Sequence, residues 1–291
     1  MKVDKFRTVI IYIIIILLGL VCLLPLLNIV AISFSSSAAV EGNMVGLIPV
    51  GFSTAAYEKI LEDSQFWHSF LISVERVVLT LIINFVLIVL MAYPLSKTNA
   101  QFRGRNVYAN LMIFAMLFNG GMIPTFLLVK SYGLLNTVWA LVLPGAVPIF
   151  NVILVMNFFA AVPKELEEAA FIGGANPLQV LTKIFIPISK PVLATVSLFS
   201  IVGSWNDFYS GLIYMSKAAY YPLMTYIQSL QINVEDLIKQ GNLSAVVDSA
   251  SLGNTNLNAA KIVVAVIPLL LIYPLLQRYF VSGIVVGSVK G

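Results

Sequence analysis

Two stretches of this chain bring recognition-competent side chains together. Trp205-Asn206-Asp207 sets an aromatic face, an amide and a carboxylate on consecutive positions of an otherwise apolar run. Aromatic faces stack on the C–H surfaces of sugars, and amides and carboxylates bond their hydroxyls. Asn119, Asn151 and Asn157 add amides to other apolar runs. Polar groups in hydrocarbon are costly and face a cavity or a partner helix. The trio therefore also fits interhelical bonding, with Asp207 paired to a basic group of a second subunit. Glu75 and Arg76 are adjacent, so they do not face each other on a helix, and both are expected near an outer surface. Trp67 and His68 read as interface anchors. The second stretch, Pro163 to Pro187, carries Glu165, Glu167 and Glu168 among small and apolar residues.

Other chemistry is excluded. One cysteine and one histidine make a zinc or haem site within the chain improbable, and no metal ligand set is expected. Cys22 has only apolar neighbours and is expected to be a packing residue. No Gly-Lys dipeptide occurs, so there is no G-x-x-x-x-G-K-[ST] phosphate loop. A chain of this kind has no means of burning ATP by itself.

The elements that must position these groups are apolar. Of 291 residues, 59% are hydrophobic and 10% charged, against about 25% charged in soluble chains. Mean hydropathy is +0.96. This excludes an ordinary soluble enzyme, a disordered chain and a nucleic-acid binder. Crossing hydrocarbon takes roughly 20 apolar helical residues. Charge-poor runs predict an all-α membrane protein, one domain over 1–291, with six helices at about 8–33, 69–95, 107–129, 136–160, 190–214 and 262–284. The first run is longer than a signal-peptide core of about 7–15 residues, so a retained anchor is expected. Gly120-Gly121 with Pro124, Pro144 with Pro148, and Pro268 with Pro274 are expected to interrupt their helices.

Orientation follows basic residues. Lys2, Lys5, Arg7, Lys97, Arg103, Arg105, Lys164, Lys183, Lys190, Arg278 and Lys290 fall on one side, eleven of the 17 Lys and Arg. That side is the cytoplasm, with both termini inside. Outer segments 34–66 and 215–260 are rich in Ser, Asn and Gln. They fit either solvated loops or a docking surface.

The inner segment 163–187 encodes a helix–glycine–helix hairpin. Pro163 suits a first helical position, and the glutamates then lie where the helix dipole favours anions. Leu166, Ala169 and Ala170 share a face, and Gly173-Gly174 ends the helix. Asn176, Pro177 and Gln179 form a capping-box start to a second helix, whose apolar face is Leu178, Leu181 and Ile184. A hairpin lying on lipid headgroups would carry Lys and Arg on its polar face. This one begins with Glu, which points to a protein partner.

Glu168-Ala169-Ala170, three residues, Gly174, nine residues, then Ile184-Phe185-Ile186-Pro187 resembles the EAA loop of ABC-importer permeases. Gly173 stands where that family often has an acid, and Ile186 where it usually has Leu. Phe118 to Pro124, Ser204 to Phe208 and the ending Gly283 to Gly291 resemble carbohydrate-importer permeases, in particular the smaller permease of maltose-type systems and the subgroup for complex oligosaccharides such as aldouronates and alginate-type chains. The resemblance implies a sugar-importing permease in a bacterial cytoplasmic membrane. It would pair with a second permease as a heterodimer, with two ATPases that bind the ATP and Mg, and with an extracytoplasmic solute-binding protein. Glu168, Ala169, Ala170, Gly174, Ile184 and Pro187 would couple to the ATPases, and Val289, Lys290 and Gly291 would reach between them. Asn119, Asn151, Trp205, Asn206 and Asp207 would lie on the substrate path.

The residues leave other classes open. An ion-coupled secondary transporter needs midplane ionisable groups, often in two repeated halves; here Asp207 is present without a clear repeat. An ABC permease for a non-sugar solute would carry the same hairpin, and a structural or assembly membrane protein with no substrate is a third reading.

Overall fold

In a computed structural model the described residues are 5–230 and 255–287, with side chains from Thr8 to Leu230, from Thr255 to Pro274 and at Gln277. Val289, Lys290 and Gly291 lie outside them. Every regular element among the described residues is helical.

The chain order is α1 (Lys5–Ser33), α2 (Ser37–Glu41), α3 (Ala55–Glu62), α4 (Ser64–Leu95), α5 (Arg105–Leu117), α6 (Met122–Ser131), α7 (Val138–Val142), α8 (Ile149–Ala160), α9 (Lys164–Ile172), α10 (Pro177–Val180), α11 (Ile186–Ile188), α12 (Lys190–Asn206), α13 (Tyr209–Tyr214) and α14 (Thr255–Gly287). Thr8–Ser33, Ser64–Leu95 and Thr255–Pro274 are each long and apolar enough to cross a membrane unaided. Three further pairs qualify only as bent pairs: α5 with α6 at 110°, α7 and its 3-10 extension with α8 at 47°, and Pro177–Ile188 with α12 at 84°.

The breaks have local causes. Gly121 has φ 91°, open to glycine and costly for other residues, and the helix stops before it. Pro148 carries no N–H, and its ψ of 94° starts α8 afresh. Pro268 and Pro274, expected to interrupt their helix, lie inside a continuous α14.

Two compact units divide the chain. Unit 1 is Met1–Trp67 with Tyr226–Ile267, and unit 2 is His68–Thr225 with Pro268–Gly291. In unit 1, α1 is bare: none of its most apolar window is buried within the chain. Cys22 is exposed there. This corrects the expectation of a packing cysteine; its apolar neighbours face outward with it. Unit 1 also folds part of the polar segment 34–66 into α2 and α3. Phe34 stacks on Phe52 and Tyr57 at 5.6 and 4.7 Å, and Asn256 donates to the Ser35 carbonyl.

Unit 2 holds the main core. Ile88, Val89, Ala92 and Leu95 of α4 meet Val152, Val155 and Phe159 of α8, and Val192, Leu193 and Val196 of α12. Val180, Leu181 and Phe185 of the hairpin belong to the same core.

Candidate functional site

The hairpin starts at Pro163, which caps the helix with extended ψ of 130° instead of filling the first helical position as expected. Its carbonyl accepts from Leu166 N–H, so the helix begins one residue later. α9 is capped by Gly173, and Gly174 turns the chain at φ +81°. Asn176 Oδ1 accepts from Gln179 N–H at 2.9 Å, and Gln179 Oε1 from Asn176 N–H at 3.0 Å. The expected capping box is therefore formed.

The apolar face of the second half differs from the expected one. Residues Leu181–Phe185 form a π-helical turn, and a π turn shifts the angular position of every residue after it. Phe185 is buried at its end, as are Val180 and Leu181, while Leu178, which precedes it, is 62% exposed. Ile184 and Ala170 are half-buried against the core.

The three glutamates divide their roles. Glu165 and Glu168 are exposed. Glu167 is buried, and its Oε1 lies 2.6 Å from Lys97 Nζ, just past the end of α4. Tyr93 Oη donates to the same oxygen at 3.3 Å. Burial pushes the Lys97 ammonium below its ordinary range, against the opposing pull of Glu167. Leu166, Ala169, Phe171 and Ile172 are exposed together with Glu168, Ile172 at 89%. The hairpin thus turns one face into the bundle and offers a second, apolar with a carboxylate, to the outside.

A second polar site lies within unit 2. A cavity of about 220 Å³ is lined by Arg76, Thr80 and Asn84 of α4, by Asn151 of α8, and by Ser200, Ser204 and Asp207 from α12 and its end. Arg76, Thr80 and Asn84 repeat every four residues and so stripe one face of α4. Arg76 Nη2 contacts Asp207 Oδ2 at 2.5 Å, and Nη1 donates to the Asp207 carbonyl at 2.9 Å. Asp207 Oδ1 accepts from Ser210 N–H, which fixes the break between α12 and α13. Asn84 Nδ2 donates to Ser200 Oγ at 3.1 Å. Arg76 Nε, Thr80 Oγ1 and Asn84 Oδ1 are buried without a protein partner. Together they offer an N–H donor, a hydroxyl and an acceptor, the groups that hydrate or bind hydroxyls.

Of the residues expected on the substrate path, Asn151 and Asp207 meet at this cavity. Trp205 is buried edge-on against Phe70, centroids 5.6 Å apart, and is not part of the cavity lining. Asn206 and Asn119 are exposed, and Asn119 Oδ1 accepts from Gly121 N–H. Asp207 has a counter-charge within this chain, and that partner, Arg76, is 4% exposed. Sequence reasoning missed Arg76, Lys97 and Glu167 as paired groups. The available signal was an arginine inside an apolar run, which calls for a partner charge; the partner lies 131 positions away.

Comparison with known proteins agrees over nearly the full length. Protein LplC of Bacillus subtilis (strain 168) is 40% identical over 273 residues, 94% of this chain and 91% of that protein. The polygalacturonan/rhamnogalacturonan transport system permease protein YtcP of the same organism is 39% identical over 288 residues, 99% of each. In a crystal structure of a bacterial ABC transporter involved in the import of the acidic polysaccharide alginate, one chain matches with TM-score 0.83 and 32% identity, covering 96% of this chain and 98% of that one. The family model for the inner membrane component of binding-protein-dependent transport systems matches residues 2–286, and the chain belongs to that family.

Proposed function

We propose that this chain is one of two permease subunits of an ATP-driven, binding-protein-dependent importer for an oligosaccharide. It sits in a bacterial cytoplasmic membrane as six spans, three single helices and three broken ones, with both termini inside. A sister permease completes the path as a heterodimer. Two ATPases supply the energy, holding the ATP and Mg, and an extracytoplasmic binding protein delivers the sugar. The sugar assignment is supported by relatives named for polygalacturonan, rhamnogalacturonan and alginate. Opening alternates between the two membrane faces as the ATPases close and part.

The observation that carries this reading is the outward face of the hairpin. Glu168 is exposed beside Glu167, which is tied inward, and Ala169, Phe171, Ile172 and Leu178 are exposed around it. An acidic group on a small, apolar surface fits a cleft with a basic residue. Glu168, Ala169 and Ala170, with Gly174 as the turn and Ile184 and Pro187 closing the motif, form the coupling element. Val289, Lys290 and Gly291 reach between the ATPases. The solute passes Asn151 and Asp207, with Trp205 also on the route and Asn119 and Asn206 presenting amides elsewhere along it. Asp207 has its counter-charge in Arg76, which weighs against its use as the ion site of a secondary transporter.

Glu168→Lys tests the docking. We expect normal membrane insertion, loss of ATPase co-purification and loss of sugar uptake. Uptake at the unmodified rate would refute the assignment.

A further inference from the structure

Glu167 and Glu168 are neighbours on one helix, about 100° apart around its axis. One faces in and the other out. The inward one ends at the foot of α4. Its contact with Lys97 is 2.6 Å long, and the two side chains are 12% and 10% exposed for Lys97 and Glu167. Aromatic groups enclose the pair. Lys97 Nζ lies 4.2 Å from the Tyr93 ring centroid and 4.3 Å from that of Phe185. Tyr93 meets Phe185 edge-on at 5.1 Å, and Phe185 meets Phe159 of α8 at 5.4 Å.

One cation therefore touches both halves of the hairpin. It is ion-paired to α9 through Glu167, and it sits on Phe185 at the end of the π turn. Of the three ion pairs among the described residues, this is the one at the hairpin. Cation–π contacts add most when the cation is shielded from water, as it is here. A salt bridge in an enclosed site also fixes direction, because both partners lose their alternatives when desolvated.

From this geometry we infer that Lys97 and Glu167 are positioning residues that lock the coupling hairpin to the inner end of α4, so that displacement received at the hairpin's outer face moves α4 with it. The inference rests on the docking reading of the outer face. α4 carries Arg76, Thr80 and Asn84 farther along the same helix. A rigid joint at its foot links the docking face to the polar cavity through one continuous element. Without it the hairpin keeps its apolar contacts through Val180, Leu181 and Phe185 but loses the ionic tie on α9.

The test is a charge-swap series in the complete transporter, in proteoliposomes with binding protein and oligosaccharide. Glu167→Lys and Lys97→Glu should leave the ATPases bound and hydrolysing ATP. Uptake per ATP should fall about tenfold, the scale of an ordinary coupling energy. The double swap should recover most of that loss, since a direct pair shows as non-additivity. Unchanged uptake per ATP in the single variants, or no recovery in an assembled double variant, would overturn the inference. Should a single variant fail to assemble, Glu167→Gln keeps the size and an acceptor for Tyr93. It should show a smaller loss of uptake per ATP, and an unchanged ratio there would equally overturn the lock. Docking is read separately, from ATPase co-purification with Glu168→Lys, so failure of that reading is distinguishable.

Discussion

Arg76 and Asp207 meet across 131 positions of sequence, and the meeting sets the cost of changing either one. Arg76 is almost wholly enclosed and Asp207 partly so. Removing one member of such a pair leaves the other charge without compensation. Arg76→Met is therefore expected to destabilise the folded protein by about 3 kcal/mol, the lower end for a buried pair because Asp207 keeps some exposure. Arg76→Met with Asp207→Asn should recover most of that loss, since both charges go together. Thermal unfolding in detergent, followed for the two single variants and the double, measures it. Equal destabilisation by the double and by the sum of the singles would mean the pair contributes nothing as a pair. The pairing also leaves the cavity with neutral groups: the arginine charge is already matched, and what is left over is an N–H, a hydroxyl and an amide oxygen.

At the scale of elements, short breaks decide where side chains point. α13 lies against the segment that follows it through Gly211, where an added Cβ would come within 2.1 Å of Thr225 Oγ1. Thr225 is fully buried and its hydroxyl donates to the Phe208 carbonyl at 2.9 Å, so it has no room to retreat. Gly211→Ala should cost about 1–3 kcal/mol, as overpacking of a well-filled site does, and should appear as a lowered midpoint in detergent unfolding. The hairpin shows how local signals and packing share the work. Its caps and turn were legible, because Asn176, Pro177, Gln179 and Gly174 act on their own backbone neighbours. Its buried face was not, because the π turn at Leu181–Phe185 answers to packing on α8 and α12. Sequence periodicity assumes regular helix and so put Ile184 on the buried face, where the structure buries Phe185 and leaves Ile184 half-buried.

At the scale of the molecule, unit 1 is closed by one acidic residue with two duties. Asp63 Oδ1 accepts from Phe66 N–H and caps α4, while Oδ2 takes Lys261 Nζ at 2.7 Å and Tyr226 Oη at 2.9 Å. Burial pushes the Asp63 carboxyl up, but these bonds outweigh it and hold it below its ordinary value of 3.8. A depressed carboxyl contributes stability above the unfolded value and loses it as pH falls through the folded one. Asp63→Asn should thus lower the unfolding temperature at about pH 6, with the deficit shrinking as pH falls through the lowered carboxyl value. A deficit independent of pH would mean that the carboxylate charge of Asp63 contributes nothing. By itself the sequence determined the class and the helical build: a chain 59% hydrophobic and 10% charged can satisfy its backbone in hydrocarbon only by helices or a closed barrel, and runs of 20 or more apolar residues select helices. It also determined the hairpin's turn and restart, which are short-range backbone chemistry. Tertiary structure alone decided which of the adjacent carboxylates Glu167 and Glu168 faces the bundle, which cation each buried acid meets, and that Trp205 packs on Phe70 outside the cavity lining. Those outcomes depend on partners 70 to 198 positions distant, and no local pattern encodes the register in which apolar helices pack against one another.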